Sequence, residues 1–231
     1  MQTCDFLIVI CAGTEWRTMR PFFPYAQIAN SPYGEYFSYP ISSNQVTFLH
    51  SGWGKIATAG ATQFGIERWN PKLLVNLGTC GGVEGLVRLE EVILAEETIV
   101  YDIIEGMSSY EEAIRRYSTK ADLDWLGSRL PFSARRMRLF SADRDIRPED
   151  VGGILKDFGA AAADWESGAF AWVCAKNQRD WLVMRTVSDL VSENKGEALG
   201  NAALWRTRTG QVMQTMLNYL PWLLERYQST H

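Results

Sequence analysis

Apolar and polar positions change rhythm repeatedly along this chain, from short unbroken apolar runs to runs spaced at helical intervals. Phe6–Cys11 is unbroken and closes on Ala12-Gly13, which predicts a buried central strand with a tight turn. Thr14 is placed to cap the helical turn that follows, with Glu15 near its start. Pro21 to Pro40 is rich in aromatics and broken by prolines and Gly34. It predicts a loop, then a strand at Gly34–Tyr39 hairpinned through Ser42-Ser43-Asn44 to Gln45–His50. Ser51-Gly52-Trp53-Gly54-Lys55 opens a helix to about Arg68, stopped by Asn70-Pro71. Leu73–Leu77 is a second buried strand, followed by a glycine-rich turn, Gly78-Thr79-Cys80-Gly81-Gly82. Strands are expected at Val92–Ala95, Thr98–Tyr101 and Met137–Phe140, helices at Glu111–Tyr117, Asp122–Leu130 and Pro148–Phe158, and loops at Ile103–Tyr110 and Ser141–Asp145.

Ala169, Phe170, Val173 and Cys174 recur at helical spacing, Lys176-Asn177 ends that helix, and Trp181–Arg185 is the next strand. After a loop at Leu190–Gly196, a long final helix is expected from Glu197 to Tyr227. Its stripe is Val212, Met213, Met216, Leu217 and Leu220, with a bend at Pro221. Strands alternating with helices define an α/β class, with a mixed, twisted central sheet flanked by helices. No repeat or linker interrupts the pattern, so one domain over residues 1–231 is expected.

Composition narrows the classes. At 231 residues, 46% hydrophobic and 22% charged, the chain supports a substantial core. The net charge of −4 gives no bulk reason to expect nucleic acid or a membrane surface, and no run is long enough to span a bilayer. Arg115-Arg116 and Arg135-Arg136-Met137-Arg138 have acids nearby and read as solvated faces. The four cysteines, Cys4, Cys11, Cys80 and Cys174, make no metal-type spacing. With His50 and His231 as the only histidines, no metal site and no Ser-His-Asp triad is expected. Met1-Gln2-Thr3-Cys4-Asp5 carries no positive leader, so a cytoplasmic protein with reduced thiols is the expectation.

Candidate chemistry centres on carboxylates. Asp164-Trp165-Glu166 stands at the start of a helix, and Asp189 follows the strand that ends near Arg185. Acids between apolar walls have their pKa tuned by burial and by each other. Alone, Glu166 fits a helix-start acid favoured by the macrodipole and Asp189 a turn residue. Glu15 reads equally as a first-turn acid or as a ligand-crevice residue beyond the first strand's carboxyl end. The glycines around Trp53 suit an anion but do not form a Walker A loop, since Leu49 stands at the first glycine position and Ile56 replaces Ser/Thr. The Gly78–Gly82 stretch lacks the dinucleotide spacing and offers bare backbone with one hydroxyl, Thr79.

Three motifs in order resemble the nucleoside phosphorylase/nucleosidase superfamily, and within it 5′-methylthioadenosine/S-adenosylhomocysteine nucleosidases. Ser51-Gly52-Trp53-Gly54-Lys55-Ile56-Ala57 is similar to S-G-[IMP]-G-K-x-x-A, and Asn76-Leu77-Gly78-Thr79-Cys80-Gly81-Gly82 to N-x-G-[ST]-[AC]-G-[GA]. Asp164-Trp165-Glu166 with Arg185-Thr186-Val187-Ser188-Asp189 is similar to [ED]-M-E followed by R-x-[IV]-[ST]-D.

The resemblance implies roles. Asp189 would protonate adenine N7, Glu166 would hold the ribose hydroxyls, Glu15 would position the attacking water, and Arg185 would orient carboxylates or water. Glu15 matches only if the turn before it is one residue shorter than usual. Thr79, Cys80 and Gly81 would line the ribose end. Asp143 and Ile146 would face the base, with Asp164, Trp165 and Ser188 beside the carboxylates, and Trp165 would replace the family's usual Met under the sugar. Such chemistry needs no metal, cofactor or histidine.

A homodimer is implied, with the region of Met107 and Tyr110 reaching the partner's pocket. No Arg stands just before the glycines, at Leu74–Gly78, where phosphorylases of the superfamily hold phosphate, so water is favoured as nucleophile. Arg17 and Arg20 keep the phosphorylase open. The family's D-x-F-[IV] base loop is here Asp143-Arg144-Asp145-Ile146, without its aromatic. Either an aromatic from Pro21–Tyr39 covers the base, or the base is not simple adenine and a futalosine-like nucleoside is the substrate. A nucleoside-binding protein without turnover is the reading from another class.

Overall fold

The computed structural model describes residues 4–107, 109–153, 157–198 and 200–231. The expected α/β class with a mixed sheet flanked by helices is what it shows. Phe6–Ile10 (β1) lies in the middle and is buried along its whole length. It pairs in parallel with Asn44–His50 (β4) on one side and Leu73–Val83 (β5) on the other. β4 forms the expected hairpin with Glu35–Ile41 (β3), turned at Ser42 with φ 52°, and Ala29–Asn30 (β2) ends that side.

Beyond β5 the sheet closes on itself. β5 pairs with Asp180–Val191 (β10), which pairs with Val92–Val100 (β6). β6 pairs with Arg135–Ser141 (β8), β8 with Ala162–Asp164 (β9), and β9 returns to β5. Tyr110–Arg116 (α3) precedes Ser118–Lys120 (β7), which adds to β6.

Side chains of the central strands alternate between two layers. Phe6, Ile8, Ile10, Val75 and Leu77 pack with Met213, Met216 and Leu220 of the final helix, Ala202–Thr230 (α6). Leu7, Val9, Leu74 and Val183 pack instead with Ile66 and Trp69 of Gly54–Trp69 (α2) and Phe170 and Val173 of Ser167–Lys176 (α5). A strand covered on both faces reads as an unbroken apolar run, which is why β1 was legible. No helix among the described residues is long and apolar enough to cross a membrane.

Several elements differ from expectation. The glycine-rich stretch Gly78–Gly82 is not a turn. It continues β5 to Val83, paired with β10 and, at Gly81 and Gly82, with β9. The two strands expected around Ala95 and Thr98 are one strand, β6, with a register shift between Ala95 and Glu97 that breaks the alternation. Asp122–Leu130 yields only a 3₁₀ turn, Asp124–Leu126. There Asp122 Oδ1 accepts the Asp124 N–H at 3.0 Å and Gly127 takes φ 72°, so a local side-chain bond and a left-handed glycine replace the helix.

The helix expected over Pro148–Phe158 is Pro148–Val151 (α4), followed by Gly152-Gly153, and residues 154–156 of that expectation lie outside the described residues. So do Met1 to Thr3 of the leader reading, Ser108 of the Ile103–Tyr110 loop, and Leu199 of the final helix expectation. That helix starts at Ala202 rather than Glu197, capped by Asn201, whose Oδ1 accepts the Leu204 N–H at 3.2 Å. Thr14 is no cap either. It lies inside Gly13–Met19 (α1) and accepts from Arg17 at 3.2 Å.

Candidate active site

The site forms where β1, β5, β9 and β10 end and three helices begin, the usual address of a ligand crevice in such a sheet. Glu15 sits in the first turn of α1 and is buried. Its Oε2 accepts the Ala12 N–H at 3.1 Å, and its Oε1 accepts the Thr79 N–H at 2.6 Å and the Thr79 hydroxyl at 2.9 Å. Burial pushes its pKa up, while Arg185 and these donors pull the other way. The carboxylate lies so close to β5 that a Cβ on Gly78 would sit 2.8 Å from Oε1. A strand glycine here is a requirement of close approach.

Glu166 immediately precedes α5, and its Oε1 accepts the Gly54 N–H at 3.1 Å from the start of α2. Its carboxyl is pushed up to about 8, first by burial, then by Asp164, with Arg185 opposing. Lys55 N–H donates to Asp143 Oδ1 at 2.8 Å. The anions at the glycine-flanked start of α2 are therefore the protein's own carboxylates.

Behind Glu166 lies a buried ion pair. Asp164 Oδ1 accepts from the Glu166 and Ser167 N–H groups and the Ser167 hydroxyl, which fixes the start of α5. Its Oδ2 accepts from Arg185 Nε at 2.7 Å. Arg185 also donates to the backbone carbonyl and the side-chain Oδ1 of Asn76. Burial pulls the guanidinium's pKa down, but Asp164 and the other carboxylates outweigh it and the net direction is up. A fully buried charge is held because each of its three nitrogens faces an acceptor.

Asp189 owes its position to a register shift in β10 between Val187 and Asp189. The extra residue, Ser188, puts its Oγ 2.7 Å from Asp189 Oδ1 and 3.2 Å from the Cys80 carbonyl. A bulge re-aims a side chain, and here it turns Asp189 into the cavity beside Gly81 and Ile146. Burial raises the Asp189 pKa, the Ser188 hydroxyl lowers it, Asp145 and Glu197 raise it further, and the net direction is up.

These groups border a cavity of about 500 Å³. Glu15, Glu166 and Asp189 line it, as do Thr79, Cys80, Gly81, Ile146, Asp164, Trp165 and Ser188. Arg185 stands behind the wall as the partner of Asp164. Asp143 is not among the lining residues and is engaged by Lys55, with N–H and Nζ contacts at 2.8 and 3.5 Å.

The aromatics of the wall are Trp53, Trp165 and Trp205, so the expected cover from Pro21–Tyr39 is not what the structure shows among the described residues. Trp205 was missed in the sequence because it lies off the apolar stripe of α6. Asn201 and Gly200 also line the cavity, from a segment expected to be helical. Arg17 and Arg20 do not line it, and the arginine that does, Arg144, is held by both oxygens of Asp150 at 2.6 and 2.8 Å.

A mixed sheet closed on itself, with three carboxylates gathered at its strand ends, defines an α/β protein with an acidic ligand cleft. The sequence pattern of the phosphorylase superfamily matches residues 8–218, and the chain belongs to that superfamily. It is 28% identical over 164 residues to a 5′-methylthioadenosine/S-adenosylhomocysteine nucleosidase of Haemophilus influenzae (strain PittEE), covering 66% of this chain and 72% of that protein. It is 26% identical over 178 residues to one of Staphylococcus haemolyticus, covering 71% and 78%.

Among solved structures, the Arabidopsis thaliana 5′-methylthioadenosine nucleosidase in apo form superposes with a TM-score of 0.80 at 17% identity, covering 96% of each chain. The S. pneumoniae 5′-methylthioadenosine/S-adenosylhomocysteine nucleosidase with the transition-state inhibitor MT-ImmA gives 0.78 at 16%, covering 96% of this chain and 99% of that one. At these identities the structural likeness establishes the fold.

Proposed function

We propose that this protein is an N-glycosidase that hydrolyses a purine nucleoside of the methylthioadenosine/S-adenosylhomocysteine type and releases the free base. The observation that carries this reading is the convergence of Glu15, Glu166 and Asp189, from three separate chain segments, on one cavity. The two relatives compared above are both named nucleosidases and support the same reading. About 500 Å³ suits a nucleoside-sized ligand.

Cleavage of the N-glycosidic bond leaves positive charge on the sugar and negative charge on the departing base. Asp189, whose pKa is raised, delivers a proton to the base. Glu166 accepts hydrogen bonds from the ribose hydroxyls, and the nearby carboxylates stabilise the sugar cation. Glu15, fixed by Ala12 and Thr79, orients the water that adds to the anomeric carbon and takes the proton that water loses. Asp164 and Arg185 act indirectly, by holding the start of α5 and hence Glu166.

Water rather than phosphate is the nucleophile in this reading. A phosphate needs a free cation, and the lining arginine, Arg144, is committed to Asp150. The test is chromatographic detection of free base from methylthioadenosine, S-adenosylhomocysteine, adenosine, inosine and futalosine, with and without phosphate. Release without phosphate is expected. Release only with phosphate makes the protein a phosphorylase, and binding without release makes it a nucleoside-binding protein.

A further inference from the structure

The first turn of α2 carries a cation at the end of the helix that suits anions. Lys55 follows Gly54 there, where the macrodipole disfavours an ammonium group. Two carboxylates meet it. Lys55 Nζ lies 2.6 and 2.5 Å from the two oxygens of Asp102 and 3.5 Å from Asp143 Oδ2. Asp102 stands just past the end of β6, and its Oδ2 also accepts the Asp143 N–H at 2.9 Å. Asp143 Oδ1 in turn accepts the Lys55 N–H at 2.8 Å. The three residues thus close a ring in which each is bonded to the other two, largely by charge-assisted bonds. The side chains of Lys55 and Asp102 are only 20% and 21% exposed, so water competes less for this pair than for a surface one.

What the ring joins gives it a use. Gly54 and Lys55 present neighbouring N–H groups at the start of α2. The first holds Glu166 Oε1 at 3.1 Å and the second holds Asp143. Gly54 has φ 85°, and a Cβ there would lie 2.9 Å from Asp143 Oδ1, so this close approach requires glycine. Asp143 opens the loop whose next three residues, Arg144, Asp145 and Ile146, line the cavity. The other anchors of that loop do not reach α2. Arg144 is held by Asp150, and Asp145 accepts from Trp165 Nε1 at 3.2 Å. One side of the ring is therefore the loop at the base end, and the other is the group assigned to the ribose. The glycosidic bond lies between those ends, so their spacing decides whether a nucleoside is seated for attack.

We propose that Lys55, Asp102 and Asp143 are positioning residues, whose ring fixes the base loop against the start of α2 and so sets the distance between the base and ribose ends of the cavity. This role rests on the hydrolase reading above. None of the three lines the cavity, so each acts through the groups that it holds.

The test uses Lys55→Met, Asp102→Asn and the double variant, each checked by circular dichroism. Two quantities are measured: kcat for methylthioadenosine hydrolysis, and affinity for free adenine by calorimetry. Adenine fills the base end alone, and the loop keeps its bonds to Asp150 and Trp165. Its affinity should stay within about threefold while kcat falls about ten- to a hundredfold, the cost of an ångström-scale misplacement. The double variant should be no slower than the slower single variant, because either change opens the same ring. A merely structural ion pair would move the unfolding midpoint and leave kcat unaltered. Unchanged kcat in both single variants overturns the proposal. So does adenine affinity that falls in step with kcat, and so do losses that multiply in the double variant. Absence of base release from every nucleoside of the panel by the unsubstituted protein overturns the hydrolase reading and this role with it, an outcome seen before any variant is made.

Discussion

Asp189 and Glu166 are both carboxylates with raised pKa, yet their surroundings assign them different work. Asp189 sits beside a strand bulge with one oxygen near Ser188, and it lines the cavity where a base can meet it. Asp189→Asn should lower kcat by about two to four orders of magnitude, the worth of a general acid, with an unchanged far-ultraviolet circular dichroism spectrum. Because Asp189 acts protonated, kcat should fall as pH rises through its raised pKa, and that limb should vanish in Asp189→Asn.

Glu166 makes a stability prediction of defined sign. Its carboxyl titrates near 8 in the folded protein, above its ordinary value in the unfolded chain. Between those values the folded state binds more protons than the unfolded state, so stability falls as pH rises across that window, by at most about 1.4 kcal/mol per pH unit. Glu166→Gln removes this dependence. Urea unfolding at pH 5 and pH 8 should show the variant gaining on the unsubstituted protein at the higher pH, and parallel behaviour of the two would contradict the assignment.

At the scale of elements, β5 and the Asp164–Arg185 pair carry the geometry. Gly78→Ala would place a Cβ 2.8 Å from Glu15 Oε1, so Glu15 must move. Activity should drop at least about tenfold while the protein stays folded, since misplacement of about an ångström costs on that order or more. Arg185→Ala strips the partner from a buried carboxylate and should lower the unfolding free energy by about 3–5 kcal/mol in urea titration.

How much of this was legible depended on locality. Asp164-Trp165-Glu166 could be read because it lies beside a helix start that its neighbours in sequence define, whereas Asp189, expected just after a strand ending near Arg185, lies inside β10, which runs on to Val191. Gly78–Gly82 was read as a turn because glycine clusters ordinarily make turns. Its strand identity comes from pairing with β9 and β10, roughly eighty to a hundred residues away, which no local pattern records. The bulge at Ser188 and the cavity wall from Gly200 to Trp205 escaped for the same reason, since a bulge exists only relative to a partner strand.

At the scale of the whole molecule, closure of the sheet through β5, β10, β6, β8 and β9 brings residues 166 and 189 to one cavity, and the pairing of β1 with β5 adds residue 15. The surface carries a further expectation. Ile104 and Met107 are each 95% exposed, in the stretch from which the family resemblance implies contact with a second copy. A dimer is expected in sedimentation velocity, with Met107→Asp shifting it toward monomer, and an unsubstituted monomer at micromolar concentration would contradict this.

The most direct test of the central claim is free base released from methylthioadenosine in phosphate-free buffer, compared between the unsubstituted protein and Asp189→Asn. The account predicts stoichiometric adenine and the reducing sugar from the first and a rate lower by about two to four orders of magnitude from the second. Equal rates from the two proteins, or no release until phosphate is added, would contradict it.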